Sequence, residues 1–323
     1  MTKIVFHENQ LGERGTSVAL YDYAYYSRLF FNIEPIITYN SLSNNNHESI
    51  SKFKKEFNLI PYENFEEVNT FIETNNVQYF YAIKYGYNDG ILSRSAINLI
   101  HSVFSKSEAD VHGDRYAVVS EWQSLFSNGK IDYVPHMLNL DNTEEDLRSE
   151  LGIPSSAVVI GRHGGYDTFN IDFVNNSIVD ILDKRSDIWF VFLNTEKKVS
   201  HERCIYLDKI VDLKRKTQFI NTCNAMIHAR DYGETFGLSV LEFAAKNKAI
   251  ISYDDKYYQS HHPLGGRNHF LFLQDQCYKY NNKEQLDSIF SNITKENIFD
   301  TRFLEEKFSP INVMNLFKGR FLS

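Results

Sequence analysis

Cysteine is scarce in this chain: Cys204, Cys223 and Cys277 are the three among 323 residues. An odd, sparse count cannot build a disulfide framework and reads as reduced thiols in a cytosolic setting. Long apolar runs are missing too, none approaching the roughly 18–20 residues that span a bilayer. The opening stretch 1–8 meets charge too soon for a secretory signal and reads as a first strand. Positive charge is outnumbered, 34 Lys and Arg against 42 Asp and Glu, for a net −8. That balance argues against nucleic acid as a partner and leaves room for a local basic phosphate pocket. There is no Cys-x-x-Cys pair, no His-Glu-x-x-His and no Asp-x-Asp at a strand end, so no metal site is expected. His261 and His262 fall in an expected extended loop, where adjacent side chains point to opposite sides.

What is present is apolar and aromatic. Hydrophobic residues make up 42% of the chain, enough to bury real cores, and 20 Tyr and 25 Phe lift the aromatic share to 15%. The length suggests two domains. Apolar runs of strand length alternate with helical patterns, twice over. The first series has strands near 3–7, 35–39, 77–84, 97–104 and 115–120, with helices near 17–31, 47–57 and 65–75. The second has strands near 157–161, 188–194, 204–207, 225–228 and 249–253, with helices near 171–184, 213–223 and 237–248. Between them lie a short extended piece around Pro135 and a helix-prone stretch, 143–151. A last helical pattern covers 302–321. Such alternation predicts an α/β chain of two Rossmann-like, doubly wound domains, 1–138 and 139–305. Their ligand is expected where the carboxyl ends of the strands face each other across a cleft.

The most informative window runs from Asp231 to Ala245. A strand ends near His228, a glycine-bounded turn follows, and an apolar helix begins near Gly237. Backbone N–H groups of Thr235, Phe236, Gly237 and Leu238 would line a helix N-terminus suited to a phosphate. Glu234 precedes that terminus and Glu242 follows eight positions later, so at about 1.5 Å per helical residue the carboxylates stand roughly 10 Å apart. One could bond sugar hydroxyls and the other a ribose diol. The same spacing also fits an ordinary solvated stripe of Ser239, Glu242 and Lys246, with Glu242 and Lys246 as an i, i+4 pair.

Glu234-Thr-Phe-Gly-Leu-Ser-Val-Leu-Glu242 resembles the Glu-x-Phe-Gly-Leu-x-x-x-Glu-Ala signature of retaining GT-B glycosyltransferases. That large family includes sucrose synthases and bacterial mannosyltransferases. The resemblance implies a GT-B fold whose C-terminal helix, about 306–323 here, packs back on the first domain. It implies transfer of a sugar from a nucleotide sugar, with UDP or GDP expected, to a glycan or lipid-linked acceptor, without cofactor or metal. Glu234 would hold the donor sugar and Glu242 the ribose. The loop Gly12-Glu13-Arg14-Gly15 would approach the diphosphate or acceptor through Gly12 and Gly15, with Glu13 and Arg14 as acceptor contacts. Gly161-Arg162 matches a phosphate-binding arginine. Relatives follow it with Lys-Gly, whereas Gly164-Gly165-Tyr166 stands here, leaving Lys197, Lys198, Arg230 or glycine N–H groups as substitutes. His101, rather than the competing His112, would touch the donor sugar across the cleft. Ser120 reads as the N-cap of a helix. From topology alone, the base would lie against the loop containing Ile210.

Catalysis is thus assigned to Glu234, His101 and Arg162. The setting would be cytoplasmic, with the tail 317–321 offering, as an alternative to packing on the first domain, a basic, aromatic contact to a membrane surface. A nucleotide-sugar epimerase or inverting transferase on the same scaffold, and a non-catalytic nucleotide-sugar-binding protein, remain open alternatives.

Overall fold

A computed structural model describes residues 1–12, 14–105 and 107–323. The chain divides into two compact units, one of residues 1–137 and 307–323, the other of 138–306.

The first unit runs β1 (Thr2–Glu8), α1 (Gly15–Phe31), β2 (Ile33–Asn40), α2 (His47–Glu56), β3 (Asn58–Tyr62), α3 (Phe65–Thr74), β4 (Tyr79–Lys84), β5 (Ile97–Ser102), β6 (Arg115–Val118) and α4 (Glu121–Phe126). Its six strands are parallel in the order β3-β2-β1-β4-β5-β6. The order reverses between β1 and β4. In β1 the residues Ile4, Val5 and Phe6 are all fully buried, Ile4 and Phe6 in one core and Val5 in the core on the other face. An unbroken apolar strand is what a parallel sheet covered on both faces requires. Ser120 caps α4, its hydroxyl accepting the Gln123 N–H at 3.3 Å.

The second unit repeats the plan with β7 (Val158–His163), α5 (Asp172–Lys184), β8 (Ile188–Leu193), β9 (Cys204–Leu207), α6 (Leu213–Thr222), β10 (Ala225–His228), β11 (Gly233–Glu234), α7 (Leu238–Ala245), β12 (Ala249–Tyr253), α8 (Lys256–His261), β13 (Gly266–Arg267), α9 (Asn268–Phe272), β14 (Tyr278–Tyr280) and α10 (Lys283–Asn292). Its main sheet is parallel in the order β14-β12-β10-β7-β8-β9, with β11 and β13 as a separate parallel pair. Here the order reverses between β7 and β10. The helix α5 shows how the sequence pattern becomes packing: Val174, Ser177, Ile178, Ile181 and Leu182 recur on one stripe and are buried. The two Rossmann-like sheets contain the strands expected from the alternation, with β3 and β14 added at their edges.

Several sequence expectations are corrected. Residues 143–151 form turns instead of a helix. Asp141 and Asp146 carboxylates accept the N–H groups of Thr143 and Arg148, and the Thr143 hydroxyl accepts that of Glu145. Such local side-chain bonds compete with helical ones. The pattern 302–321 splits into α11 (Phe303–Lys307) and α12 (Pro310–Phe317), because Pro310 takes the first helical position and disfavours helix before it. Val313, Met314, Phe317 and Phe321 from this end are fully buried in the first unit, with Phe317 stacked on Tyr23 at 5.2 Å. The aromatic side chains assigned to a membrane contact are therefore enclosed in protein. Among the described residues, no helix is long and apolar enough to cross a membrane. His261 ends α8 and stacks on Tyr257, so it does not lie in an extended loop.

Candidate functional site

The chain leaves β10 at His228 and returns through a tight crossing before α7. At Gly233 the backbone is left-handed (φ 66°), and a Cβ there would sit 2.3 Å from the Gly266 carbonyl oxygen. Only glycine lets β11 and β13 approach so closely. Gly237 follows at φ 95° as the residue before α7, so the helix begins at Leu238, one position later than expected. Its open N–H groups are accordingly those of Leu238, Ser239 and Val240. Thr235 and Phe236 are buried, and the Phe236 carbonyl accepts from the Asn268 amide at 3.1 Å.

Glu234 is fixed from two sides. Arg230 Nη1 donates to Oε2 at 2.7 Å, and His228 Nε2 lies 3.1 Å from Oε1. Burial pushes this carboxyl up, but Arg230 and His228 outweigh it and hold it down to about 2. Behind His228 a buried chain continues, with Nδ1 3.2 Å from Ser252 Oγ and Ser252 Oγ 3.1 Å from His269 Nε2. His269 is fully buried, and desolvation drives its pKa well below the ordinary value, so its imidazole is neutral. Arg230 lies over the Tyr232 ring at 4.3 Å, and Tyr232 stacks on His262 at 4.6 Å.

Glu242, one face further along α7, is 2% exposed. It is not on a solvated stripe, and its partner is not Lys246, which pairs with Glu144. Lys216 of α6 bonds Oε1, and His163 Nε2 at the end of β7 stands 3.5 Å from Oε2. Burial again opposes ionisation, and Lys216 with His163 overcomes it to hold the carboxyl near 2. Among the described residues no hydrogen bond of ordinary geometry reaches Oε2, whose ion-pair partner is His163 Nε2 at 3.5 Å. A carboxylate oxygen held only at that distance retains acceptor capacity for a hydroxyl that can reach it.

Both glutamates thus gather at the carboxyl ends of β7 and β10, where the strand order of the second sheet reverses. That is where ligands of such sheets bind. Arg162 stands there too, but its fork is directed into the protein. Nη1 donates to Asn194 O and Thr195 Oγ1 at 3.1 and 2.6 Å, and Nη2 to Gly165 O and Thr168 Oγ1, both at 2.7 Å. With four bonds to its own loops, and burial pushing it down to about 10, Arg162 staples the turns after β7 and β8. The expected bidentate phosphate contact is corrected accordingly. Of the substitutes for the missing lysine, Lys198 pairs with Glu196 and Lys197 lies over Tyr206, leaving Arg230 as the cation beside Glu234. Ile210 is half-buried in the loop before α6, whose N-cap is Asp212.

The remaining expected residues belong to the first unit. His101 is fully buried, its Nδ1 2.8 Å from the Tyr81 hydroxyl and its Nε2 2.8 Å from the Val134 carbonyl. With both ring nitrogens engaged and burial lowering its pKa to about 4, it is a core residue and not a contact for a sugar. His112 lies at a turn, Nδ1 2.7 Å from the Asp110 carbonyl. Arg14 is the residue before α1, and Gly15 begins that helix. The Gly12 N–H donates to Ser17 Oγ at 3.0 Å, so it is already engaged. Glu13 lies outside the described residues.

Sequence reasoning missed Glu8, His163, Lys216, Ser252 and His269, and gave His228 no role. Glu8, His163 and His228 are each the last residue of a strand beside a point where strand order reverses, a position that would have marked them. Lys216 carried no such signal. Glu8 accepts from the Thr16 and Ser17 hydroxyls, both at 2.6 Å, and burial pushes its carboxyl up to about 7 against those bonds.

No family model matches the sequence, and no curated protein matches it either. Solved structures do match. The Anabaena protein Alr3699/HepE in complex with UDP-glucose shares 9% identity over 99% of both chains, with a TM-score of 0.75. A glycosyltransferase from Rickettsia africae shares 15% over 98% of both, with a TM-score of 0.69. A structure described as a UDP-N-acetylglucosamine 2-epimerase from Listeria monocytogenes shares 12% over 99% of this chain and 96% of its own, with a TM-score of 0.59. At such identities the likeness establishes the fold, the paired parallel-sheet α/β units of GT-B proteins.

Proposed function

We propose that this chain is a retaining glycosyltransferase that moves a sugar from a UDP- or GDP-sugar to a hydroxyl of a glycan or lipid-linked acceptor, without a metal. The observation that supports the reading is the pair of buried carboxylates on α7 and its approach, each held by its own cation, Arg230 or Lys216, and one of them with an oxygen that no hydrogen bond of ordinary geometry reaches among the described residues. In this scheme Glu242 Oε2 takes a ribose hydroxyl. Glu234, held rigid by His228 and Arg230, takes hydroxyls of the donor sugar. The N–H groups opening α7 and the Arg230 guanidinium stabilise the leaving diphosphate, as preorganised dipoles and charge do for a developing anion. The acceptor hydroxyl attacks from the side on which the diphosphate departs, and a departing phosphate oxygen takes its proton. The likeness to a structure crystallised with UDP-glucose supports the choice of donor class.

The test is incubation with UDP- and GDP-sugars in the presence of EDTA and a panel of glycoside acceptors, followed by NMR of the product. Transfer with the donor's anomeric configuration supports the proposal, and the opposite configuration replaces it with an inverting transferase. The likeness to the structure described as a 2-epimerase favours a second reading, in which the same site isomerises the donor sugar. An epimerised sugar formed without acceptor establishes that reading instead.

A further inference from the structure

Sheet register sets up the buried chain behind Glu234. His228, the last residue of β10, is the paired neighbour of Ser252 on β12, so their side chains leave the same face of the sheet. His269, in the first turn of α9, reaches Ser252 Oγ with its Nε2. All three side chains are buried. The Tyr280 hydroxyl donates to the His228 carbonyl at 3.0 Å and holds the backbone from which that ring projects. His269 is fixed against the turn before α7, because a Cβ built on Gly237 would meet its Cβ at 3.3 Å.

Counting hydrogens gives these contacts a direction. Glu234 is ionised and can only accept, so His228 Nε2, 3.1 Å from its Oε1, carries a hydrogen. An imidazolium at His228 would add a second positive charge beside a largely buried pair that Arg230 and Glu234 already balance. The ring is therefore taken as neutral, and its Nδ1 as an acceptor. Ser252 Oγ, 3.2 Å away, has a hydrogen to give it. The competing acceptor for that hydrogen is the Tyr253 carbonyl, at 3.4 Å the longer contact. With the hydroxyl hydrogen committed, the 3.1 Å contact to neutral His269 needs its hydrogen on Nε2. His269 Nδ1 is then a bare lone pair, and it is the ring atom without a hydrogen-bond partner among the described residues. Reversing every bond would aim a lone pair of His228 at an ionised carboxylate and bury an N–H of His269 with no acceptor, at a desolvation cost.

We propose that Ser252 is a positioning residue for Glu234: its hydroxyl donates to His228 Nδ1 and accepts from His269 Nε2, so that His228 presents a fixed Nε2–H to the carboxylate. The three bonds run head to tail from His269 to Glu234, and bonds aligned in this way polarise one another. Ser252 acts through His228 and touches no ligand in this scheme. Its effect on sugar transfer rests on the transferase reading above; the assignment of hydrogens does not.

Two-bond proton–nitrogen correlation spectra of the full chain, carrying isotope-labelled histidine at neutral pH, read the tautomers directly. The signals lost in His228→Asn and in His269→Asn assign the two rings. In wild type both should be neutral with the hydrogen on Nε2. Ser252→Ala should let the His269 hydrogen divide between its two nitrogens and should move the His228 Nδ1 resonance toward that of a free lone pair. Ser252→Thr keeps the hydroxyl and should restore the wild-type pattern, which separates the bond from the packing of a small residue. The proposal is overturned if wild-type His228 carries its hydrogen on Nδ1 or on both nitrogens, or if Ser252→Ala leaves both rings unchanged. In transfer assays Ser252→Ala should lower turnover about tenfold. UDP binding should stay at the wild-type level, since UDP lacks the sugar that Glu234 is assigned to hold. Turnover equal to wild type would also overturn the positioning role. Absence of transfer by wild type would remove the transferase reading, and the spectra would then decide the proposal alone.

Discussion

Replacing Glu242 by glutamine sets its structural role against its proposed role at the ribose. The carboxylate is buried, and Lys216 and His163 lower its pKa from 4.5 to about 2 against burial. A fall of that size corresponds to about 3 kcal/mol of preference for the ionised native form. Because the native value is depressed, this stabilisation is present above the unfolded value near 4.5 and is lost as the pH falls toward 2. At neutral pH the variant also strands Lys216, whose side chain is 10% exposed, with no countercharge at the position of Oε1. Breaking one side of a buried pair costs about 3–5 kcal/mol, and that loss is expected in urea unfolding at pH 7. Lys216→Met alone should cost a similar amount by stranding the carboxylate. The double variant Glu242→Gln, Lys216→Met should recover much of the loss, with a coupling of about 2–3 kcal/mol in the cycle. Binding separates the roles. At a hundredfold excess over Kd, UDP should stabilise wild type by about 2.7 kcal/mol, and the single and double variants that lack the Glu242 carboxylate should lose most of that gain. Single-variant losses that simply add in the double would refute the ion-pair argument. A double variant that gains as much from UDP as wild type would remove Glu242 from the donor site.

Two further outcomes follow from the electrostatics. Glu8 has its native pKa raised from 4.5 to about 7, so the native state holds a proton that the unfolded chain releases, and stability falls as the pH climbs between those values. Glu8→Gln should therefore raise the unfolding free energy more at pH 8 than at pH 5, by up to about 3 kcal/mol, and thermal unfolding with equal gains at both values would contradict the buried charge. Arg162→Lys keeps the charge but cannot span four acceptors in two loops, so a loss of about 2–4 kcal/mol is expected, with faster proteolysis within residues 163–171. A variant as stable as wild type would refute this stapling role.

The parts of the fold legible in the sequence were those set by burial on both faces. Runs such as Ile4–Phe6 and 225–228 can only be central parallel strands, and the alternation with helices then fixes the class. The strand β3 escaped notice because it is an edge strand containing Pro61, where the apolar pattern is diluted. The window from Asp231 to Glu242 was legible for a different reason. Gly233 and Gly237 mark backbone conformations that other residues resist, and the acids stand at defined offsets from them. The direction of a side chain was not legible. Arg162 and His101 both occupy carboxyl-end positions suited to a ligand, yet one turns to Thr195 and Thr168 and the other to Tyr81 and Val134. Those partners lie on distant segments, and sequence spacing does not say which will arrive.

The state of the two acids on the second unit constrains any chemistry proposed for it. A general base works best with a pKa near the operating pH, and Glu234 and Glu242 are each held near 2. Both are poor proton acceptors and good fixed acceptors of hydrogen bonds. Glu234 is further limited as a nucleophile, since His228 and Arg230 engage both of its oxygens and would have to release one. Under the proposed transfer, the acceptor's proton must then leave by another route. The departing phosphate supplies one, because its oxygen gains basicity as the bond to the sugar lengthens. The residues around the two acids are arranged to hold charge still, with His228, Ser252 and His269 forming a buried chain behind Glu234 and with Lys216 behind Glu242. That rigidity suits stabilisation of a charge that develops in the transition state, which requires donors and acceptors already in place when the bond breaks.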